Sequence, residues 1–151
     1  MSKGFQYLKD NGSMTETDYP YMAVDQACNS SSSKFKGKVT KFVDLPRNDA
    51  VALKNAVNQN IVSVAVDANT WFTYKSGIIR GSDCKNSLNH GVVIVGYGVE
   101  NGVKFWIVKN SWGNKWGEDG YLRVEDSSDN RGAGACGINM INSYVEIAAP
   151  F

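Results

Sequence analysis

Histidine is almost missing from this chain of 151 residues: there is one, His90. One imidazole with cysteines scattered along the chain does not make a zinc site, so no metal is expected. Cysteine is sparse too. Cys28, Cys84 and Cys136 form no C-x-x-C pair, which argues against a zinc ribbon or a redox motif. An excess of one charge is absent, with 16 basic residues against 15 acidic ones. That balance gives no electrostatic case for nucleic acid or an anionic membrane as partner. No apolar run approaches the ~20 residues needed to span a bilayer. The opening residues, Met1-Ser2-Lys3-Gly4-Phe5-Gln6, lack the apolar stretch of a signal peptide. Two readings stay open: a cytosolic protein, or an excerpt whose leader lies elsewhere. Gly96-Tyr97-Gly98 lacks the rest of any phosphate loop, and no cofactor is expected.

What remains is a globular composition, with 42% apolar and 21% charged residues. The length alone suggests one domain. Two glycosylation acceptor triplets, Asn11-Gly12-Ser13 and Asn29-Ser30-Ser31, favour secretion only weakly, because such triplets arise often by chance. Phe5 and Leu8 at helical spacing predict a short helix over residues 1–10, stopped by Asn11-Gly12. Asp18-Tyr19-Pro20-Tyr21 is expected to be extended, since Pro20 biases its predecessor away from helix. Residues 38–43 alternate as an edge strand. Asn48 is a plausible N-cap for a helix to about Asn58, burying Val51, Leu53, Ala56 and Val57. From Ile61 onwards strands dominate: 61–66, 91–95, 105–108, 121–124 and 144–147. Val99-Glu100-Asn101-Gly102 is expected to turn a hairpin. Strands at such spacing with Gly-rich turns predict an antiparallel sheet or barrel.

Two segments carry chemistry. The first is Ser87-Leu88-Asn89-His90-Gly91-Val92-Val93-Ile94-Val95-Gly96-Tyr97-Gly98, where a polar imidazole opens an apolar strand. The second is Lys109-Asn110-Ser111-Trp112-Gly113-Asn114-Lys115-Trp116-Gly117-Glu118-Asp119-Gly120-Tyr121. Alone, the first is a lone histidine and the second an aromatic cluster with a Gly-rich turn. Together and in this order they resemble the histidine and asparagine motifs of the papain-like, cathepsin L-like cysteine proteases. Thr17-Asp18-Tyr19-Pro20-Tyr21 and Ser76-Gly77-Ile78-Ile79 resemble further segments of that family.

The resemblance implies an α+β fold: a papain-like right-hand antiparallel β-barrel domain with a remnant of the α-helical left domain. Residues 1–28 would be that remnant and 29–151 the right domain, and a return of the C-terminal tail to the left domain stays open. It implies that His90 is a general base paired with a cysteine thiolate, and that Asn110 orients it through its side-chain oxygen. Trp112 would cover the His–Asn bond, and Trp116 would help form the leaving-group side. Gly113 and Gly117 would permit the tight turns between these tryptophans. Ala65, Leu88, Gly91 and Ile141 would line the pocket for the side chain two residues before the scissile bond, and Asn89, at a position that varies between Asp and Asn in the family, would be a further substrate-binding residue. Being apolar or small, the four pocket residues imply an aliphatic or aromatic preference. Cys84 and Cys136 match a family disulfide, whereas Cys28 matches a cysteine whose partner is outside this sequence.

The nucleophile has no counterpart here. The family cysteine lies in a Cys-Gly-Ser-Cys-Trp stretch roughly 130–150 residues before the histidine, and only 89 residues precede His90. Cys28, in a Ser-rich loop, has no cue placing it near His90. The expectation is therefore part of an endopeptidase, inactive by itself, completed by an N-terminal segment bearing the nucleophile. A chain of a two-chain protease and a non-catalytic protein-binding pseudoprotease are the alternatives. Partners implied by the family are peptide or protein substrates and cystatin-like inhibitors, in a lysosomal, vacuolar or secreted setting.

Overall fold

A computed structural model describes residues 1–126 and 132–147. The chain divides into two compact units, residues 1–43 with the C-terminal end from 145, and residues 44–144.

In the smaller unit the first helix, α1 (Ser2–Asp10), buries no residue completely. Its amphipathic face is narrow, with Phe5 and Leu8 half-buried and the Phe5 ring 6.2 Å from that of Phe42. Asn11 ends the helix by donating its side-chain amide to the Tyr7 carbonyl at 3.1 Å. Gly12 then turns the chain with φ of 98°, and a Cβ there would lie 3.0 Å from the Gly37 carbonyl, so glycine is required. The extended path expected for Asp18-Tyr19 is instead a turn. Both N–H groups donate to the Thr15 carbonyl, and the Thr15 hydroxyl donates to the Asp18 carboxylate. That local side-chain pairing outweighs the bias imposed by Pro20. Strand β1 (Val39–Asp44) follows, and the Thr40 hydroxyl donates to the Glu146 carbonyl at 2.9 Å.

The larger unit opens with α2 (Ala50–Val57). Its N-cap is Asp49, not Asn48: the Asp49 carboxylate accepts from the Ala52 N–H at 2.8 Å, while Asn48 takes a left-handed φ of 60°. The buried stripe is Ala50, Leu53 and Ala56, and Val51 is exposed. Val51 is two residues from Leu53, about 200° round the helix, and so cannot share its buried face. Strands β2 (Val62–Val66), β3 (Ile78–Ile79), β4 (His90–Glu100), β5 (Val103–Lys109), β6 (Tyr121–Glu125) and β7 (Asn142–Ile147) complete the set. Those of this unit lie in the order β7-β2-β4-β5-β6-β3. Pairing is antiparallel except where the two-residue β3 meets β6 in parallel.

Strict alternation builds the core. Val62, Val64 and Val66 of β2 face inward, while Ile61 stays outside the strand and exposed. Ile94, Trp106, Val108, Leu122, Val124 and Ile138 meet them, all inaccessible to solvent. Fully burying side chains of this size is worth about 1.5–3 kcal/mol each. The β4–β5 hairpin turns at Asn101-Gly102, whose φ values of 50° and 79° suit a type I′ turn. A bulge between Ile94 and Gly96 inserts one residue into β4, so that Gly96 lies opposite Ile107. Cys84 and Cys136 are joined by a disulfide, and Cys28 is a free, exposed thiol in the smaller unit.

Candidate active site

The hairpin brings its two ends together. His90 is the first residue of β4, and Asn110 directly follows β5. The last rung pairs Val93 with Lys109, so His90 and Asn110 both project from the open end of the ladder. His90 Nε2 lies 2.8 Å from Asn110 Oδ1. The Ser111 N–H donates to the same Oδ1 at 2.8 Å, which fixes the amide orientation. A carbonyl oxygen only accepts, so His90 donates through Nε2–H and keeps Nδ1 as the free, basic nitrogen. Asn110 is buried, and its own N–H donates to the Gly120 carbonyl at 3.0 Å.

Aromatic rings close over this pair. Trp112 stacks on the His90 ring with centroids 5.1 Å apart and planes 25° apart. Trp116 stands edge-on to Trp112 at 5.0 Å and donates its indole N–H to the Trp71 carbonyl at 3.2 Å. Excluding water from a hydrogen bond strengthens it electrostatically. Two rings were not legible as site residues in the sequence. Phe72 stacks on the outer face of Trp112 at 5.0 Å and 8°, and Trp71 meets His90 edge-on at 6.4 Å. Both lie in the loop after β2, where only a fold can show that an aromatic faces an imidazole.

The loop from Ser111 to Gly120 is held by a second constellation. Glu118 accepts from Arg123 Nε at 2.9 Å and Nη2 at 2.7 Å, and from the Gly77 N–H at 2.9 Å. These contacts hold the Glu118 carboxyl below the usual carboxylate range; the Arg123 hydrogen bonds are the largest cause, opposed by burial. Tyr74 donates to the Gly77 carbonyl at 2.7 Å and packs its ring 5.5 Å from Trp116. Burial is the main cause pushing the Tyr74 phenol above its ordinary pKa. Gly117, with φ of 58°, allows the close approach: a Cβ would lie 2.6 Å from the Tyr121 carbonyl.

The residues expected to line a substrate pocket come from β2, from the entry and start of β4, and from the residue before β7. Ala65 lies opposite Gly91 across the β2–β4 ladder, and its N–H donates to the Ile141 carbonyl at 3.0 Å. These three are neighbours, and Ala65 is partly buried. Leu88 is half-buried beside Gly137. Asn89 is occupied differently, clasping Ala68 and Asn69 through its side chain. Cys28 belongs to the other unit; contacts from the Ser30 side chain and then its backbone pull that exposed thiol below its ordinary pKa. Among the described residues no cluster of three or more potential ligands could hold a metal ion.

Known proteins include clear relatives of this chain. A family model described as papain family cysteine protease matches residues 1–146. Cysteine proteinase COT44 of Brassica napus is 45% identical over 148 residues, covering 95% of this chain and 44% of that protein. Mouse cathepsin S is 40% identical over 151 residues, covering 97% and 43%. Among solved structures, the bromelain protease of Ananas comosus in complex with the E64 inhibitor superposes with a TM-score of 0.86 at 39% identity. That match covers 95% of this chain and 67% of the other. The chain thus spans less than half the length of these curated relatives. With a match over nearly all its residues and the histidine–asparagine hairpin in place, this chain belongs to the papain family of cysteine proteases.

Proposed function

We propose that this chain supplies the base-and-orienter half of a papain-type site that hydrolyses peptide bonds, with the nucleophilic cysteine contributed by a segment outside these residues. The 2.8 Å contact between His90 Nε2 and Asn110 Oδ1 under Trp112 carries the reading. With Nε2–H engaged, Nδ1 takes the proton of an incoming thiol. The resulting imidazolium stabilises the thiolate and later protonates the leaving amine. A neutral carboxamide suits the orienting position, because the thiolate already balances the imidazolium. Trp116 borders the leaving-group side.

Ala65, Leu88, Gly91 and Ile141 form the wall that receives the side chain two residues before the scissile bond, with Asn89 beside them. Their small or apolar character favours aliphatic or aromatic side chains and offers no acid to select arginine. The Cys84–Cys136 disulfide supports a lysosomal, vacuolar or secreted setting, where such bonds persist.

The test joins this chain to the cysteine-bearing segment of a papain-family relative. An E64-type epoxide should label the added cysteine in the joined protein, and His90→Ala should abolish that labelling. Hydrolysis by the chain alone that is lost in Cys28→Ser would place the nucleophile inside it and overturn the reading. A folded joined protein that neither reacts nor cleaves would make this a non-catalytic binding module.

A further inference from the structure

Asp67 is a carboxylate only 2% exposed, set where β2 gives way to the loop that carries Trp71 and Phe72. Its carboxylate accepts from the Asn69 side chain at 2.7 Å, the Asn69 N–H at 3.1 Å and the Ser87 N–H at 3.1 Å. Those donors come from two segments distant in sequence. One is the exit of β2; the other is the chain entering β4 just before His90.

Asn89 closes the circuit. Its Oδ1 accepts from the Ala68 N–H at 2.9 Å, and its Nδ2 donates to Asn69 Oδ1 at 2.9 Å. Its own N–H donates to the Val66 carbonyl at 2.9 Å. The result is a closed polar clasp over residues 66–69 and 87–89, ending one residue short of His90. The β2–β4 ladder itself stops at the rung pairing Val66 with His90. Beyond that rung the clasp is what ties the two segments to each other.

Breaking such a clasp leaves the buried Asp67 carboxylate short of donors, which folded proteins avoid. It also frees the backbone on which the imidazole is mounted. We infer that Asp67 is a positioning residue for His90: it sets the entry of β4 so that Nε2–H stays on Asn110 and the ring stays between Trp71 and Trp112. The inference rests on the site reading given above. It also assigns a purpose to a buried carboxylate whose hydrogen bonds all run to uncharged donors. An amide cannot replace it. Asparagine at this position would have one accepting oxygen for donors on two sides, and its NH2 would face an N–H.

His90 being the sole histidine makes the test specific. Nitrogen-edited NMR of the 151-residue chain, at a pH where the imidazole is neutral, reads the exchange of one Nε2–H with water. Asp67→Asn is expected to speed that exchange by at least about tenfold, as a locally opened hydrogen bond does. Asn69→Ala, at an exposed position, removes one side of the clasp and should give a smaller increase in the same direction. Val62→Ala, at the far end of β2, lowers thermal stability but should leave the exchange unchanged. Equal exchange in wild type, Asp67→Asn and Asn69→Ala overturns the inference, as does an equal acceleration by Val62→Ala. If Asp67→Asn does not fold, the Asn69→Ala comparison decides alone. Asn110→Ala separates the two readings: if it leaves the exchange unchanged, the His–Asn pair itself is wrong, whatever Asp67 does.

Discussion

Replacing Glu118 by glutamine removes the charge that anchors the tryptophan-bearing loop while keeping its shape. The carboxylate receives guanidinium contacts at 2.7 and 2.9 Å and a backbone contact at 2.9 Å. Net charge-assisted hydrogen bonds are worth about 1.5–3 kcal/mol each when shielded. The side chains of Arg123 and Glu118 are 20% and 28% exposed, so solvent screens the pair well below that sum. A loss of about 1–2 kcal/mol follows, or roughly 2–8 °C in Tm for a chain of this size. Glu100, the other carboxylate on Arg123, is 52% exposed, and its removal should cost less than about 0.5 kcal/mol. The sign with pH is fixed. The folded pKa of Glu118 lies below the unfolded one, so its contribution is full above the unfolded carboxylate pKa and is lost as pH falls through the folded value. Thermal melts of wild type and Glu118→Gln followed across that range should therefore converge in acid. A gap below about 0.3 kcal/mol at neutral pH, or one that persists unchanged in acid, would refute the reasoning.

Replacing both Cys84 and Cys136 by serine opens a link between residues 52 apart, and denaturant melts should show a loss of about 4 kcal/mol from loop-closure entropy. Gly117→Ala should cost at least about 2 kcal/mol through its left-handed φ and the clash with Tyr121, against about 1–2 kcal/mol for Gly77→Ala, whose Cβ meets nothing within 4 Å; paired urea titrations compare them. The isolated chain should associate with increasing concentration, because Phe72, stacked on Trp112, is 71% exposed and leaves an aromatic surface in water. Light scattering that shows a monomer at every concentration, with a sharp transition at high temperature, would contradict this.

The β4–β5 hairpin is legible in the sequence because Asn-Gly demands a turn with two positive φ values, and apolar alternation on either side sets the strands. His90 and Asn110 are legible through motif resemblance, not through periodicity. The first turn of α2 begins one residue later than the sequence suggests because Asn48 and Asp49 are both good caps, and only the bond to Ala52 chooses between them. β3 is invisible because two residues carry no period, and its parallel partner β6 lies more than 40 residues away. The Asp67 clasp is hidden for a similar reason. Its members are polar residues in loops about 20 positions apart, which sequence reads as solvent-facing until the strands bring them face to face.

The one-residue bulge in β4 makes the hairpin a measuring device. Counting from the Asn101-Gly102 turn, the arm leading back to His90 is one residue longer than the arm leading on to Lys109 where the two are in register. Deleting Val95 would remove the bulge, leave Ile94 opposite Val108 and Gly96 opposite Ile107 as plain rungs, and take away the local bend that aims the His90 end of the strand. Insertions and deletions inside residues 90–110 should therefore be far less tolerated than substitutions, and the spacing between the two motifs is as much a part of the machinery as the motifs themselves.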